Sequence, residues 1–434
     1  MATPQSIRYL NEVQALNALF RLGGMSRADL ARRLNLNRAS VGYIIQDLLT
    51  AGLVRERSGP DGGGAPVRAG RPGIVVELDP GGATFVGAEI GVDHITAVAI
   101  DLSARAFLHR SVPYATAARP PQVGIRRAAG LIQSVARSLE KGRGVIQGAC
   151  VAVPALVRDG TVVNALMLGW REVPLRDLLQ EALGRRVTVL VENDANALAI
   201  GETYGVASQP WDTVVCLDIE NGAGGGIVIG GELFRGSTGF AGELGQLPLG
   251  GAGFASGLQR SGHLESYIGK DAVLARYRNN GGPASADLLQ LLAALRARER
   301  IALRTAAEWG DRLAHGLTLV VHVVNPGRIV VGGSVAAIYP HVAERVREAM
   351  RKEFLEGFPL PDIEASRLGT AGTAYGAACL LHQRMFSVDE RLVHPQEVRE
   401  GRRRGAKPRR VRHWSGGKPG SPGAQPAGGA ARRG

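Results

Sequence analysis

Three short polar segments of the chain carry side chains suited to binding a polyhydroxylated molecule. They are VENDANALAIGE (191–202), GFAGELGQ (239–246) and GHLE (262–265). Carboxylate and amide groups accept and donate hydrogen bonds in pairs, and a polyol needs several such partners in a closed cleft. The candidate ligand-binding residues are Asn193, Asp194, Glu243, Gln246 and Glu265. A structural alternative for the first two is a helix cap, since Asn and Asp favour that position.

Strands that alternate with helices must position these segments. VTVLVEND (187–194) predicts a strand, and VPLRDLLQEALG (173–184) predicts an amphipathic helix before it. Two further segments each predict a pair of strands that meet at a turn, FVGAEIGVDHITAVAID (85–101) and TVVCLDIENGAGGGIVIGGELF (213–234). The repetition indicates an α/β architecture of two related lobes with a cleft between them.

The first eighty residues predict a separate module. Residues 8–22 carry a helical apolar stripe, and two shorter helices follow, capped by Ser26 and Asn37. This spacing is typical of a helix-turn-helix, whose second helix enters the major groove of DNA. LVRERSG and RPGIVVEL then predict the strands of a wing. A three-helix packing module with a solvated basic face is the alternative.

The expected DNA contacts lie on the two short helices and in the wing. A guanidinium in the wing fits a narrow, negative minor groove. The candidates are Ser26, Arg27, Asn37, Arg38, Ala39, Ser40, Tyr43, Arg68 and Arg71.

The positive charge of the chain is confined to its two ends. Of the formal net charge of +13, residues 396–434 carry +9 and residues 1–80 carry +3. We expect the tail to be disordered, with either a salt-sensitive affinity for DNA or no role. No apolar run approaches the roughly 20 residues of a membrane span, and the N-terminus lacks the layout of a secretory signal. Three widely separated cysteines favour free buried thiols, so we expect a cytoplasmic protein.

Over residues 83–390 these segments and their order along the chain resemble the ROK family, which contains sugar kinases and sugar-responsive repressors. The resemblance implies an actin-like, two-lobed, ribonuclease H-like α/β domain. With the winged helix-turn-helix in front, the arrangement is similar to that of ROK repressors of the xylose-repressor type. It also implies sugar contacts from Asn193, Asp194, Glu243 and Glu265, with Asp194 at the position of the kinases' catalytic base.

The segments that hold ATP phosphates in the family's kinases are altered here. Family kinases begin with Asp-x-Gly-Gly-Thr, whereas this chain reads Glu89-Ile-Gly-Val-Asp93. Valine restricts the backbone, and a carboxylate repels a polyanion. Glu220 and Asn221 replace Gly-Thr in the second phosphate turn. We therefore expect no enzymatic activity and no catalytic residue, and a sugar kinase with a regulatory DNA module is the alternative.

Other departures from the family affect metal and ligand. Gln246 replaces the family's zinc-ligating His, and FASGLQRSGH (254–263) replaces its cysteine segment, so we expect no metal and no cofactor. Met167, within NALMLGW (164–170), stands where the family has a sugar-binding Asn. These changes favour a modified or less polar sugar, or a protein that binds DNA without sensing a ligand.

The sequence thus predicts three regions. They are a winged helix-turn-helix domain at 1–80, a two-lobed ROK-like ligand-sensing domain at 81–395 and a basic disordered tail at 396–434. We expect a sugar-responsive transcriptional regulator, a repressor by type. Its expected partners are operator DNA, a sugar or sugar derivative, and a second copy of the chain in a homodimer or higher homo-oligomer, with no membrane.

Overall fold

The computed structural model describes the chain from residue 4 to residue 387 with short gaps. The described ranges are 4–58, 74–117, 119–138, 146–184, 187–204, 212–251, 253–254 and 260–387. The predicted wing contacts Arg68 and Arg71, and the basic segment 396–434, lie outside them.

The first module is a winged helix-turn-helix, as predicted. Ser26 caps the second helix by accepting a hydrogen bond from the Asp29 amide at 3.1 Å, and its hydroxyl donates to the Asp29 carboxylate at 2.6 Å. Asn37 caps the third helix by accepting from the Ser40 amide at 2.8 Å. The elements are α1 (Pro4–Leu22), β1 (Met25–Ser26), α2 (Arg27–Leu34), α3 (Arg38–Thr50), β2 (Val54–Ser58) and β3 (Ile74–Leu78), the strands forming one antiparallel sheet in the order β1-β3-β2.

The first lobe is built on a five-stranded sheet in the order β11-β7-β4-β5-β6. The predicted pair of strands at 85–101 forms the antiparallel hairpin of β4 and β5, and β7 joins β4 in parallel. The elements are β4 (Thr84–Ile90), β5 (His94–Asp101), β6 (Ala106–Pro113), α4 (Pro121–Arg137), β7 (Ile146–Val153), β8 (Leu156–Arg158), β9 (Thr161–Ala165), β10 (Trp170–Val173), α5 (Leu175–Leu183), β11 (Thr188–Asn193) and α6 (Asp194–Thr203).

The second lobe repeats this plan with a sheet in the order β14-β13-β12-β15-β16. Here β12 and β13 form the hairpin, and β15 joins β12 in parallel. The elements are β12 (Thr213–Ile219), β13 (Ala223–Ile229), β14 (Glu232–Leu233), α7 (Glu265–Ile268), α8 (Lys270–Asn279), α9 (Leu288–Arg296), α10 (Arg300–Val324), β15 (Arg328–Gly332), α11 (Ala343–Glu353), β16 (Asp362–Ala365) and α12 (Gly372–Met385).

Helices α6 and α12 pack very closely between the two sheets. A Cβ atom placed on Gly376 would lie 1.8 Å from the Ala197 carbonyl oxygen, and one on Gly87 would lie 1.9 Å from the Ala374 carbonyl oxygen. Only glycine permits these backbone approaches. Helix α6 is therefore held tightly against α12, and α12 against the first sheet.

The winged module packs directly on the first lobe. One hydrophobic cluster runs from α1 and α3 through Phe85 to the apolar face of α12. At its edge Phe20 of α1 lies against Tyr204, His382 and Phe386, with ring centroids 5.5, 5.0 and 5.2 Å away. A movement of α6 or α12 would therefore change the side-chain contacts of α1.

Two sequence expectations about the chain as a whole can be compared with the described residues. The three cysteines are buried and unpaired. Within the ranges given above, no helix combines the length and the apolar character needed to cross a bilayer.

Candidate functional site

A cavity of about 430 Å³ lies between the two hairpins of the lobes. Its volume falls in the range of about 300–1,000 Å³ that is usual for small-molecule sites. The structure brings all five predicted ligand-binding residues to its wall: Asn193, Asp194, Glu243, Gln246 and Glu265.

Asn193 and Asp194 lie where β11 ends and α6 begins. Asn193 caps α6 by accepting a hydrogen bond from the Asn196 amide at 3.0 Å, and its Nδ2 donates to the Ala155 carbonyl at 3.2 Å. Asn193 therefore both caps the helix and lines the cavity. Burial, together with repulsion from the nearby Glu89 and Glu243, raises the pKa of the Asp194 carboxyl to about 8. Asp194 is thus positioned to accept hydrogen bonds or to hold a proton.

The second polar group comes from the other lobe. Gln246 donates a hydrogen bond to the Glu265 carboxylate at 2.9 Å, which fixes both side chains. Burial raises the pKa values of Glu243 and Glu265, and Glu265 adds repulsion at Glu243. The Met167 Cε atom would lie 3.5 Å from a Cβ on Gly222, so its apolar side chain approaches the glycine turn beside these carboxylates. Met167 thus adds an apolar contact beside these polar groups.

An internal network of ion pairs occupies the turn between β4 and β5. The His94 ring lies 2.8 Å from the Asp93 carboxylate and 3.4 Å from that of Glu89, and Lys270 reaches Asp93 at 3.6 Å. Hydrogen bonding to Glu89 raises the pKa of His94 to about 9 despite its burial, with Asp93 contributing further. His94 is therefore protonated at neutral pH, and its positive charge pairs with the carboxylates of Glu89 and Asp93.

The facing turn of the second lobe is closed by a carboxylate of the chain itself. Glu220 accepts hydrogen bonds from the Ser334 amide at 2.5 Å and from the Ser334 hydroxyl at 2.6 Å. Ser334 follows Gly333, whose φ of +80° gives the sharp bend after β15. A backbone amide and a hydroxyl after a glycine turn are the donors that commonly hold a phosphate. Here Glu220 satisfies both.

Sequence reasoning missed three members of this wall and its surroundings. They are His94, Asp218 and Lys270, of which the first two line the cavity. Asp218 is only 6% exposed although it belongs to the apolar strand TVVCLDI. A single carboxylate within a buried strand was the available signal, because unpaired charges are rarely buried without a purpose.

The predicted DNA contacts divide into exposed side chains and structural ones. Arg38, Ala39 and Tyr43 are exposed near the start of α3, with Tyr43 exposed by 74%. The side chains of Ser26 and Asn37 cap the helices, as described above. Arg27 pairs with Glu56 of the wing at 2.7 Å. The first three side chains are thus open to solvent, whereas that of Arg27 is held by a carboxylate of the wing.

No group of three or more His, Cys, Asp or Glu side chains is arranged for a metal ion in the described ranges. His263 lies at the cavity wall, and its Nδ1 is 3.1 Å from the Ser261 carbonyl oxygen.

Comparison with known proteins gives relatives that are repressors and relatives that are kinases. The chain is 23% identical to the xylose repressor of Caldicellulosiruptor bescii over 400 residues, which cover 88% of this chain and 98% of that protein. It is 27% identical to the glucokinase of Streptomyces coelicolor over 320 residues, which cover 69% of this chain and 97% of the kinase.

Solved structures show the same two groups. A ROK family transcriptional regulator, described as a homolog of the Escherichia coli MLC protein, superposes with a TM-score of 0.72 at 22% identity and covers 88% of this chain and 97% of its own. A ROK family glucokinase from Streptomyces griseus, solved with glucose and AMPPNP, superposes with a TM-score of 0.60 at 26% identity and covers 69% of this chain and 99% of its own. At 22% identity, the likeness to the transcriptional regulator is a likeness of fold.

Two family models match separate parts of the chain. The MarR family model matches residues 9–62, within the winged module. The ROK family model matches residues 85–384, which include both lobes and the cavity between them. The chain therefore belongs to the ROK family.

Proposed function

We propose that this protein is a sugar-responsive transcriptional repressor. The winged module binds operator DNA, and a carbohydrate-like ligand enters the cavity between the lobes. The observation that carries the proposal is the convergence of Asn193, Asp194, Glu243, Gln246 and Glu265 on one cavity in a chain that begins with a winged helix-turn-helix. The xylose repressor of Caldicellulosiruptor bescii, which matches over nearly its whole length, supports the same assignment.

Helix α6 is the proposed path from the ligand to the DNA-binding module. Its first turn presents Asn193 and Asp194 to the cavity. At its other end, about 15 Å away, Tyr204 stacks on Phe20 of α1, and the Tyr204 hydroxyl lies 2.6 Å from the His382 Nδ1 atom. A ligand that pulls the start of α6 would shift this aromatic contact. It would thereby favour one position of α1 over another.

We propose further that the protein does not transfer a phosphate group to its ligand. Asp93 places a negative charge at one phosphate turn, and Glu220 fills the donors at the other. Both features oppose a polyanion. The solved ROK family glucokinase from Streptomyces griseus shares this fold, so the proposal rests on these residues and not on the architecture. Asp194 would then bind the ligand without acting as a base.

A homodimer is part of the same proposal. Winged helix-turn-helix modules commonly bind two half-sites through a pair of subunits. Ligand-dependent movement of α1 in each copy would change the spacing of the two recognition helices. Arg38 and Tyr43, which are exposed at the start of α3, are the side chains expected to meet the DNA.

Fluorescence anisotropy of the full chain on DNA from upstream of its own gene tests this function. We expect binding at least about tenfold tighter than to a scrambled duplex, consistent with specific recognition, and a shift of the binding curve by one sugar of a panel. Arg38→Ala should weaken binding to the specific DNA, whereas Arg126→Ala, which changes an exposed arginine of α4, should not. Equal affinity for both duplexes would contradict the proposal.

A further inference from the structure

Asp218 is a buried carboxylate that faces the cavity without a protein partner. It lies on β12, is 6% exposed and belongs to the cavity wall. Within the described ranges, no hydrogen bond or ion pair reaches its side chain. The Oδ1 atom lies 2.7 Å from where a Cβ on Gly333 would be, at the base of the cavity beside the glycine bend. A buried carboxylate with free acceptors is a binding group for a donor.

The groups around Asp218 make this corner strongly acidic. Burial raises the pKa of Asp218 well above its usual value, and repulsion from Asp194, Glu220 and Glu89 raises it further, while His94 opposes the effect. The nearby positive groups already have partners, because His94 lies between Glu89 and Asp93 and Lys270 lies beside Asp93. Asp194 and Asp218 therefore tend to hold a proton in this corner, and a cationic group that binds there would displace it.

We propose that Asp194 and Asp218 bind the ammonium group of an amino sugar. This inference rests on the proposed function, since it names the chemical class of the ligand in the same cavity. Asn193, Glu243 and Glu265 would hold the hydroxyl groups of that sugar, while the ammonium occupies the corner next to the glycine turn.

The chemistry of the corner favours an ammonium over other ligands. An ammonium group carries three donors and a full positive charge, and charge-assisted hydrogen bonds to carboxylates are about twice as strong as neutral ones. A neutral hydroxyl would leave the pair protonated and gain only neutral hydrogen bonds, and a phosphate would be repelled by the acidic groups around it. The described side chains form no group arranged for a metal ion, which favours an organic cation.

Isothermal titration calorimetry of the full chain tests the inference with matched ligands. Glucosamine, galactosamine and mannosamine are each compared with the neutral parent sugar and with the N-acetyl derivative. We expect one amine to bind at least about tenfold more tightly than its neutral and N-acetyl forms. Binding should also release a proton from the Asp194 and Asp218 pair, so that the measured heat differs between phosphate and Tris buffers at one pH.

A variant separates the ammonium contact from general sugar affinity. Asp218→Asn keeps the shape of the side chain, and we expect it to lower the affinity for the amine by about tenfold and to abolish the preference over the neutral sugar. Asp362→Asn removes an exposed carboxylate outside the cavity and should change neither affinity. The comparison of ligands on the unaltered chain stands by itself if Asp218→Asn does not fold.

The outcomes distinguish this inference from the function on which it rests. A neutral sugar that binds as tightly as every amine would overturn the ammonium site and leave a sugar-responsive regulator. Failure of all sugars, charged and neutral, to bind would overturn both. An amine preference that survives Asp218→Asn would also contradict the assignment, because the charge would then be recognised elsewhere.

Discussion

The two halves of the cavity have kept different parts of the chemistry associated with this fold. In the sugar half, Asn193, Asp194, Glu243 and Glu265 stand at the positions implied by the family resemblance and line one wall. In the phosphate half, acidic residues stand where the family's kinases have glycine or a hydroxyl, and they bind other groups of the chain, as Asp93 does with His94 and Glu220 with Ser334. The first half presents its polar side chains to a ligand, whereas in the second the Ser334 donors that could hold a phosphate are taken by a carboxylate of the chain itself.

This difference indicates how a kinase fold can act as a sensor. The polar side chains that can bind a sugar belong to one half and need no phosphate in the other. An internal carboxylate on the Ser334 amide keeps the second half structured without a nucleotide, because it satisfies the donors that a phosphate would otherwise take. The following changes test this division, from the largest expected effect to the smallest.

The sugar half should be highly sensitive to loss of its central carboxylate. Asp194→Asn replaces an acceptor that neighbours both the sugar contacts and the ammonium corner. We expect ligand affinity to fall by about a hundredfold, since a site built on buried polar groups depends strongly on each of them. Calorimetry with the effector measures the loss. Asp362→Asn is the matched control, and an Asp194→Asn variant that binds normally would place the ligand outside this half.

The aromatic junction that receives the signal should be sensitive to acid. Burial lowers the pKa of His382 to about 4 in the folded protein, from about 6.5 in the unfolded chain. The unfolded state therefore takes up the proton more readily. The stability contribution is complete above pH 6.5 and declines as the pH falls toward 4, by about 2–3 kcal/mol. Urea unfolding at several pH values measures the free energy of unfolding.

A His382→Gln variant provides the comparison for that titration. It removes the titrating ring from the junction, so its free energy of unfolding should fall less steeply between pH 6.5 and pH 4 than that of the unaltered chain. Parallel declines in the two proteins would show that other groups cause the acid sensitivity.

The phosphate half should regain nucleotide affinity when its charges are removed. Asp93→Thr together with Glu220→Gly takes away two negative charges and frees the Ser334 donors. Relief of each repulsion contributes on the order of 1 kcal/mol, so binding of a non-hydrolysable ATP analogue should strengthen by at least about tenfold. Calorimetry compares the variant with the unaltered chain. Tight binding of the analogue to the unaltered chain would break the distinction between the halves.

The smallest effect is expected at the end of α6. Tyr204→Phe keeps the ring on Phe20 but removes the hydroxyl from the His382 ring, at a cost of about 1 kcal/mol in the free energy of unfolding. The ligand-induced change in operator affinity should also shrink. Tyr9→Phe removes an exposed contact with the Ser387 carbonyl across the same junction and is the control. A full ligand response in Tyr204→Phe would place the signal path elsewhere.

Much of the fold and half of the site follow from local sequence signals. Each of these features depends on a short stretch of sequence. They are the helix caps at Ser26 and Asn37, the repeated hairpins and the polar segment at Asn193. Pairings across the fold are not, and Glu220 meets Ser334 over 114 positions of chain. Asp218 was missed because its strand is otherwise apolar, and only the arrangement of the lobes shows that its side chain faces a cavity.

The aromatic cluster of Phe20, Tyr204, His382 and Phe386 could not be predicted from the sequence either. Its members come from α1, from the end of α6 and from α12, and each residue taken alone is a normal apolar or aromatic core residue. The proposed route from ligand to DNA-binding module can therefore be inferred only once the helices are seen packed together.

One titration tests the central claim that the cavity senses a ligand without converting it. Effector is added, in the presence of Mg²⁺ and ATP, to the protein bound to fluorescent operator DNA, and the ligand is then recovered and its mass determined. The account predicts a change in anisotropy at ligand saturation and a ligand of unaltered mass. Recovery of a phosphorylated sugar, or an anisotropy that no ligand changes, would contradict it.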